Sequence, residues 1–146
     1  MAPKVKRDIR HLARRIALAT LFCVMHRDNS AETCAKLSKE AMELKENEYD
    51  LVLTEELIKG ALEHKKNIDT IIEECAPQWP LNKIFRIDLV ILEIAIFELL
   101  VKKTTPEKVV IDEAVELAKE FGNDASSSFV NGVLGTVFER KEKYVS

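Results

Sequence analysis

Apolar residues recur at three- and four-residue steps along most of this chain, a spacing that places them on one face of successive α-helices. In the first such segment, residues 7–26, this face consists of Ile9, Leu12, Ala13, Ile16, Thr20 and Cys23. The 146 residues include only four glycines and four prolines, whereas proteins built from many short strands use turn residues more freely. The sequence therefore predicts an all-α protein.

Capping residues indicate where further helices of the first half begin. Ser30, which follows Asn29, is expected to cap a second helix, and Asp50 precedes a third. Short polar side chains are favoured there because they bind the free N–H groups of the first turn. A short fourth helix is predicted to begin near Asn67.

The second half of the chain is more apolar. A strong apolar stripe extends over about 20 residues from Ile84. Thr105-Pro106-Glu107 then has a cap, a first-turn proline and an acidic first turn in order, and predicts a helix that continues over 109–121. Gly122 follows where a left-handed residue is expected, and Asp124 is expected to cap the last helix.

A proline-rich break separates the two halves. Pro77 and Pro80 bracket Trp79, and proline interrupts helices. Because the segment is short and contains a large aromatic residue, we interpret it as a hinge. The chain has the length of one domain, so we predict a single domain, 1–146, with an N-terminal helical subdomain of about 7–76 and a C-terminal one of about 81–142.

Charge is distributed unevenly along the chain. Residues 1–27 carry a net charge of +6 and the remaining residues −9, which together give −3. A basic segment on an acidic body indicates an anionic partner, either nucleic acid or a membrane surface. The alternative is a solvated N-terminus that happens to be basic.

The three cysteines, Cys23, Cys34 and Cys75, are widely spaced among apolar neighbours. No Cys-x-x-Cys pair is present and no histidine lies at ligand spacing, which argues against a zinc site. An odd number of cysteines also argues against a secreted disulfide framework. We therefore expect buried free thiols in a reducing cytoplasm.

Catalysis and membrane insertion are both disfavoured. The four glycines are dispersed and form no phosphate-binding loop, and a cysteine nucleophile would need a positioned base for which only three histidines are available. The sequence indicates no enzyme, no metal and no cofactor. The longest apolar stretch, 89–101, is interrupted by Glu93 and Glu98 and is not expected to span a bilayer.

Several motifs in the right order resemble the NusB family of transcription antitermination proteins. Residues 109–122 and 129–134 resemble its C-terminal signature, 86–88 and 92–99 its preceding helix, and 13–22 its arginine-bearing first helix. The resemblance covers roughly residues 7–140. It is specific because several long motifs agree.

The resemblance implies an all-helical protein of two small bundles with about seven helices in total. The family binds the single-stranded boxA element of nascent RNA together with NusE, a small-subunit ribosomal protein. That pair joins the transcription elongation complex and suppresses termination, especially over ribosomal RNA operons. The same domain occurs fused to ribosomal RNA cytosine methyltransferases, and the 146-residue length is expected of the stand-alone form.

The resemblance also implies an RNA-facing surface on the first helix. Its residues are Arg10, His11, Arg14 and Phe22, and the neighbouring basic residues Lys6 and Arg7 are expected to add to it. Arg10 and Arg14 are one turn apart and could follow a sugar-phosphate backbone. The ring of Phe22 could stack on a base, a contact worth ~1–3 kcal/mol. Plain core packing is the alternative for Phe22.

Four positions depart from the family pattern, and two of them are in the first helix, where His11 stands in place of a frequent arginine and Phe22 in place of a frequent tyrosine. Glu93 lies where arginine is often found, and Ser128 lies where lysine often precedes Phe129. We expect Ser128 and Phe129 near the RNA, and Glu93 with Asp88 near the RNA or partner surface, where Asp88 could accept hydrogen bonds. Gly132, which lies in the family signature, is expected to permit close helix packing.

The sequence therefore favours a cytoplasmic, RNA-binding antitermination factor. A second hypothesis is a helical protein-interaction module in ribosome assembly with weakened or lost RNA binding. The residues at Glu93 and Ser128 favour this module, and the basic N-terminal segment opposes it. A membrane-surface anchor is disfavoured because the apolar face of the first helix is needed for the core.

Overall fold

A computed structural model describes residues 8–27 and 29–144, and these residues form helices without any β-strand. The α-helices are α1 (Ile9–His26), α2 (Ala31–Ala41), α3 (Leu51–Glu63), α4 (Lys65–Cys75), α5 (Arg86–Ile96), α6 (Glu107–Phe121), α7 (Ser126–Glu139) and the short α8 (Lys141–Tyr144). Short 3₁₀ turns occupy Glu46–Glu48 and Leu81–Lys83, and a π-helical segment occupies Phe97–Lys102. The predicted all-α fold class is confirmed.

The first of two compact units spans Met1–Ile58. Within it α1 packs against α2. A core of Leu12, Ile16 and Tyr49 is completed by Met42 and Leu44 from the segment after α2 and by Leu51, the first residue of α3. The helix is therefore covered on more than one side.

The second unit spans Lys59–Ser146 and is organised around α5. Every residue of α5 from Asp88 to Ile96 is buried, and the helix packs against α4, α6 and α7. The two units divide at Ile58, inside α3, so the segment 77–80 that we interpreted as a hinge lies within the second unit.

Two of the predicted helix starts have the expected caps. Ser30 Oγ accepts a hydrogen bond from the backbone N–H of Thr33 at 3.1 Å and begins α2. Asp50 Oδ1 accepts one from the N–H of Leu53 at 3.0 Å and begins α3. Each bond satisfies an N–H group that the first turn leaves without an intrahelical partner.

The long apolar stripe after Ile84 does not form one regular α-helix. After Ile96 the backbone widens into the π-helical segment, and the Lys103 N–H donates to Glu98 O at 3.0 Å, five residues back. Lys103 closes the segment in the left-handed region, with φ 57°. The next helix does not have the expected Thr105 cap, because Pro106 occupies the N-cap position and makes no side-chain capping hydrogen bond.

The connection between α6 and α7 differs from the prediction at Gly122. Its φ of −87° and ψ of −171° are ordinary extended values, so the expected left-handed conformation is wrong. A Cβ at this position would lie 2.6 Å from Ala118 O and would also collide with the side chain of Ser126. The site requires glycine because the chain passes too close to its neighbours, and not because of its dihedral angles.

The predicted cap of α7 at Asp124 is also wrong, because Ala125 occupies the N-cap position and makes no side-chain capping hydrogen bond. Asn123 Oδ1 accepts a hydrogen bond from the N–H of Ala125 at 2.9 Å, and the Asn123 N–H donates to Ser126 Oγ at 2.9 Å. Asn123, one residue before the predicted Asp124, therefore closes the turn.

Candidate nucleic-acid interface

The first turns of α1 carry basic residues predicted to face RNA. Asp8 begins the helix, since its Oδ1 accepts a hydrogen bond from the backbone N–H of Arg10 at 2.9 Å. The side chain of Arg10 is exposed, whereas His11 is half-buried. Lys6 and Arg7 lie outside the described residues.

Arg14 was predicted to lie on the solvent face of α1, but it is buried, with only 2% of its surface exposed. The prediction assumed one apolar stripe that includes Ile9, yet Ile9 is 49% exposed. Leu18 and Leu21, outside that stripe, are buried together with Arg14. The helix is covered on more than one side, so part of its apparently polar face lies in the interior.

An aromatic pair occupies the last two turns of α1. The half-buried ring of Phe22 stacks on the exposed ring of His26, with centroids 4.2 Å apart and an interplanar angle of 22°. His26 Nδ1 also lies 3.3 Å from Phe22 O. The sequence interpretation omitted His26, although its i, i+4 spacing from Phe22 is the signal for such a pair. Two stacked rings at a surface offer a flat face to a nucleobase.

Cys23 and Cys34 form a disulfide, which corrects the prediction that both are free thiols. Their Cα atoms are 5.7 Å apart, and the bond joins the end of α1 to the first turn of α2. The prediction considered spacing along the chain, whereas the turn between the two helices brings the cysteines together. Cys75 is free and buried, as expected.

Ser128 and Phe129 lie in the first turn of α7. Ser128 is exposed and Phe129 is half-buried. The same turn supplies Ser126, which is fully buried and hydrogen-bonded to Asp88. The second unit thus presents the exposed hydroxyl of Ser128 two residues after the buried side chain of Ser126.

Asp88, a predicted partner-binding residue, is buried, with 4% of its surface exposed. Burial raises the pKa of its carboxyl group, and the hydrogen bond with Ser126 acts in the opposite direction. Its Oδ1 has no hydrogen-bond partner among the described residues. The carboxyl group therefore lies inside the second unit and not on an open helix surface.

Glu93, the other predicted partner-binding residue, is also buried, with 5% exposed. Its Oε2 lies 2.9 Å from Lys65 Nζ, which also contacts Asp69 Oδ2 at 2.7 Å. Burial and a hydrogen bond with Asp69 raise the pKa of Glu93 to about 8, and Lys65 opposes the shift. The partial burial of Lys65 acts to lower its own pKa, but the two carboxyl groups together raise it.

The predicted site residues thus fall into two groups. Arg10, His11, Arg14 and Phe22 belong to the first unit, and Asp88, Glu93, Ser128 and Phe129 belong to the second. Within the part of the chain that the structure describes, no cluster of histidine, cysteine or carboxylate side chains could hold a metal ion. None of the described helices combines the length and apolar character needed to cross a membrane.

Solved structures share this fold. NusB from T. maritima superimposes with a TM-score of 0.77 at 33% identity, over 92% of this chain and 96% of that one. A chain from the complex of antitermination factors NusB and NusE with dsRNA superimposes with a TM-score of 0.77 over 90% of this chain and 96% of that one. At 24% identity, the second likeness shows the fold alone.

Sequence comparison supports this likeness over most of the chain. The transcription antitermination protein NusB of Chloroflexus aggregans is 47% identical over 135 residues, which cover 90% of this chain and 87% of that protein. The model of the NusB family matches residues 11–139. The match includes the first helix, the buried α5 and the α6–α7 signature, and this chain therefore belongs to the NusB family.

Proposed function

We propose that this chain is a non-enzymatic transcription antitermination factor that binds single-stranded boxA-type RNA together with NusE. It would act in the elongation complex, especially on ribosomal RNA operons, and hence in the cytoplasm. The observation that carries the proposal is 47% identity, over 90% of this chain, to a protein named for transcription antitermination. Identity at this level across nearly the full length of both chains supports a shared activity.

The surface of α1 supports RNA contact at two points. Arg10 supplies an exposed cation for a phosphate, and the Phe22–His26 pair supplies a stacking face. The twelve residues from Arg10 to Phe22 correspond to about 18 Å along the helix axis and about 120° around it. An RNA strand that contacts both must therefore cross α1 diagonally. Lys6 and Arg7 precede Arg10 in sequence and would extend the phosphate contact toward the N-terminus.

A second RNA-contacting group is proposed in the first turn of α7. Ser128 is exposed and can donate a hydrogen bond to a phosphate, and Phe129 beside it is half-buried. Asp88 and Glu93 would act on NusE indirectly, because both carboxyl groups are buried in the unit that carries this turn. Their contribution would be to hold α5 and the start of α7 in place.

Fluorescence anisotropy with three labelled RNAs tests the proposal. A boxA-like single strand, a scrambled strand of equal composition and a duplex of the boxA-like strand are each titrated with the purified protein, with and without NusE. We expect the boxA-like strand to bind most tightly, and more tightly still with NusE. Equal binding of the boxA-like and scrambled strands would contradict boxA recognition, and preference for the duplex would contradict single-strand binding.

The burial of Arg14 favours a second candidate, a protein-interaction module whose RNA contact is weakened. One of the arginines expected to bind phosphate does not reach the surface, which leaves less positive charge for RNA. In the same titrations this candidate predicts no difference between the three RNAs, whereas size-exclusion chromatography of the two proteins without RNA should show a stable complex with NusE.

A further inference from the structure

The contact between Cys23 and Cys34 joins two helices at the edge of the proposed RNA surface. The cysteines are 11 residues apart in sequence, and their Cα separation of 5.7 Å lies in the range that a disulfide requires. Cys23 directly follows Phe22, the stacking residue, and Cys23 O accepts a hydrogen bond from the Arg27 N–H at 2.9 Å. The disulfide is therefore attached to the helical turn that carries the aromatic pair.

We propose that Cys23 and Cys34 are a reversible thiol–disulfide modification site that responds to low-molecular-weight disulfides such as oxidised glutathione. This proposal rests on the proposed function, because a factor that acts with RNA polymerase is exposed to the reducing conditions of the cytoplasm. Disulfides in such compartments are usually transient or redox-sensing. The pair is thus a switch between a dithiol and a disulfide form.

The exposure of the two cysteines assigns their roles in the exchange. Cys23 is half-buried, whereas Cys34 is fully buried. The Cys23 thiol loses its proton to solvent, and its thiolate attacks one sulfur of oxidised glutathione and releases one glutathione thiolate. The Cys34 thiolate, after losing its own proton, attacks the Cys23 sulfur of this mixed disulfide and releases the second glutathione. The protein is oxidised by two electrons, and one glutathione disulfide is reduced to two thiols.

Oxidation is expected to order the end of α1. The disulfide restrains residues 22–27 through Cys23, so the Phe22–His26 pair keeps its stacked arrangement. A restrained binding surface loses less conformational freedom when a ligand binds. The oxidised form should therefore show slower amide exchange over residues 22–27 and bind RNA a few-fold more tightly than the dithiol form.

The test titrates the full chain in buffers with different ratios of reduced to oxidised glutathione, followed by acid quenching, denaturing alkylation and mass spectrometry. Three alkylated thiols are expected in the reduced form and one in the oxidised form, because Cys75 is free and serves as an internal standard. Closing a loop of this length should raise the melting temperature by about 5–10 °C. Cys23→Ser leaves only the buried Cys34 and Cys75 and should retain two thiols at every ratio. Cys34→Ser keeps the attacking cysteine and should pass from two thiols to one thiol with a glutathione adduct on Cys23 as the oxidised fraction rises. Neither variant should show the rise in melting temperature.

Three results for the wild-type chain would overturn the proposal: three thiols at all ratios, one thiol even in excess reduced glutathione, or glutathione adducts that never resolve into the disulfide. Amide exchange that is equal in both forms would overturn the proposed ordering of α1. If the thiol count and the amide exchange change as expected but neither form binds RNA, the proposed function fails and the redox site stands.

Discussion

Individual charged residues are where the sequence and the structure differ most. Arg14, Asp88 and Glu93 were all expected at or near a surface, and all three are buried. Hydropathy patterns place ionisable residues outside because an unpaired buried charge is costly. Burial raises the pKa of both carboxyl groups toward the uncharged form, and each also has a polar partner, Lys65 for Glu93 and Ser126 for Asp88. Such partners lie far away in sequence, so no local pattern shows them.

Arg10 and Arg14 should differ sharply when each is replaced by glutamate. Arg14→Glu places a carboxylate at a buried position and should lower the free energy of unfolding by more than ~1 kcal/mol. Arg10→Glu lies at the surface, should leave stability nearly unchanged and should weaken RNA binding. Urea unfolding and RNA anisotropy measure the two effects.

Lys36→Glu, an equal charge change at an exposed position of α2, is the matched control for Arg10→Glu. If Lys36→Glu weakens RNA binding as much as Arg10→Glu does, the effect comes from overall charge and not from a contact at Arg10.

Glu93 should make stability depend on pH. Its pKa is raised to about 8 from an unfolded value of 4.5, so between these values the folded state binds more protons than the unfolded state. The stabilisation that comes from protonated Glu93 is fully present below about pH 4.5 and is lost as pH rises through about 8. The free energy of unfolding falls over this interval by no more than ~1.4 kcal/mol per pH unit. Glu93→Gln cannot release this proton and should lose less stability between pH 5 and 8.

Urea unfolding at several pH values measures this slope, with Glu116→Gln, at an exposed position of α6, as the control. Parallel pH profiles for the wild type and Glu93→Gln would show that Glu93 is not the titrating group.

At the scale of the elements, starts of helices were predictable where a cap lies directly before an apolar stripe. Ser30 and Asp50 are examples, because a cap acts on its own first turn. The end of α6 at Gly122 was predicted at the right residue, but the predicted reason, a left-handed conformation, is wrong. The actual reason is the close approach of Ser126, which depends on how α6 and α7 pack. Gly132 was expected to permit close packing, yet a Cβ there meets nothing within 4 Å.

Alanine substitutions at the two glycines should therefore have opposite effects. Gly122→Ala forces a Cβ against Ala118 O and Ser126, and should destabilise the protein by about 1–3 kcal/mol. Gly132→Ala lies within α7 in open space and should stabilise it by about 0.5–1 kcal/mol. Thermal and urea unfolding compare the variants, and a tolerated Gly122→Ala would refute the close-approach explanation.

At the scale of the whole molecule, charge limits how strongly the chain alone can hold RNA. The net charge is −3 despite +6 in residues 1–27, and Arg14 is buried. With about three phosphate contacts, the logarithm of affinity for single strands should fall with the logarithm of salt concentration with a slope of about −2. NusE should make this slope steeper by adding contacts of its own.

Ser128→Lys should tighten binding by the lone protein and change the slope by about −0.7, as expected for one more phosphate contact on a single strand. Ser128 is suited to this test because it is exposed, whereas arginine at Glu93 would bury a second cation beside Lys65. Salt titrations of wild type and variant, with and without NusE, measure the difference. An unchanged slope would remove Ser128 from the RNA surface.

The π-helical segment Phe97–Lys102 accommodates one residue more than an ordinary α-helical turn would at that place. A π-type turn contains one residue more than an α-helical turn, as the bond from the Lys103 N–H to Glu98 O illustrates. Deleting the exposed Val101 would let the segment close as an ordinary α-helix while the following residues keep their register. Deleting Ile94 from α5 would instead rotate the remaining buried positions by about 100°. Circular dichroism melting should show a cooperative unfolding transition for the first deletion and none for the second. The segment would then be a place where homologous chains can differ in length by one residue.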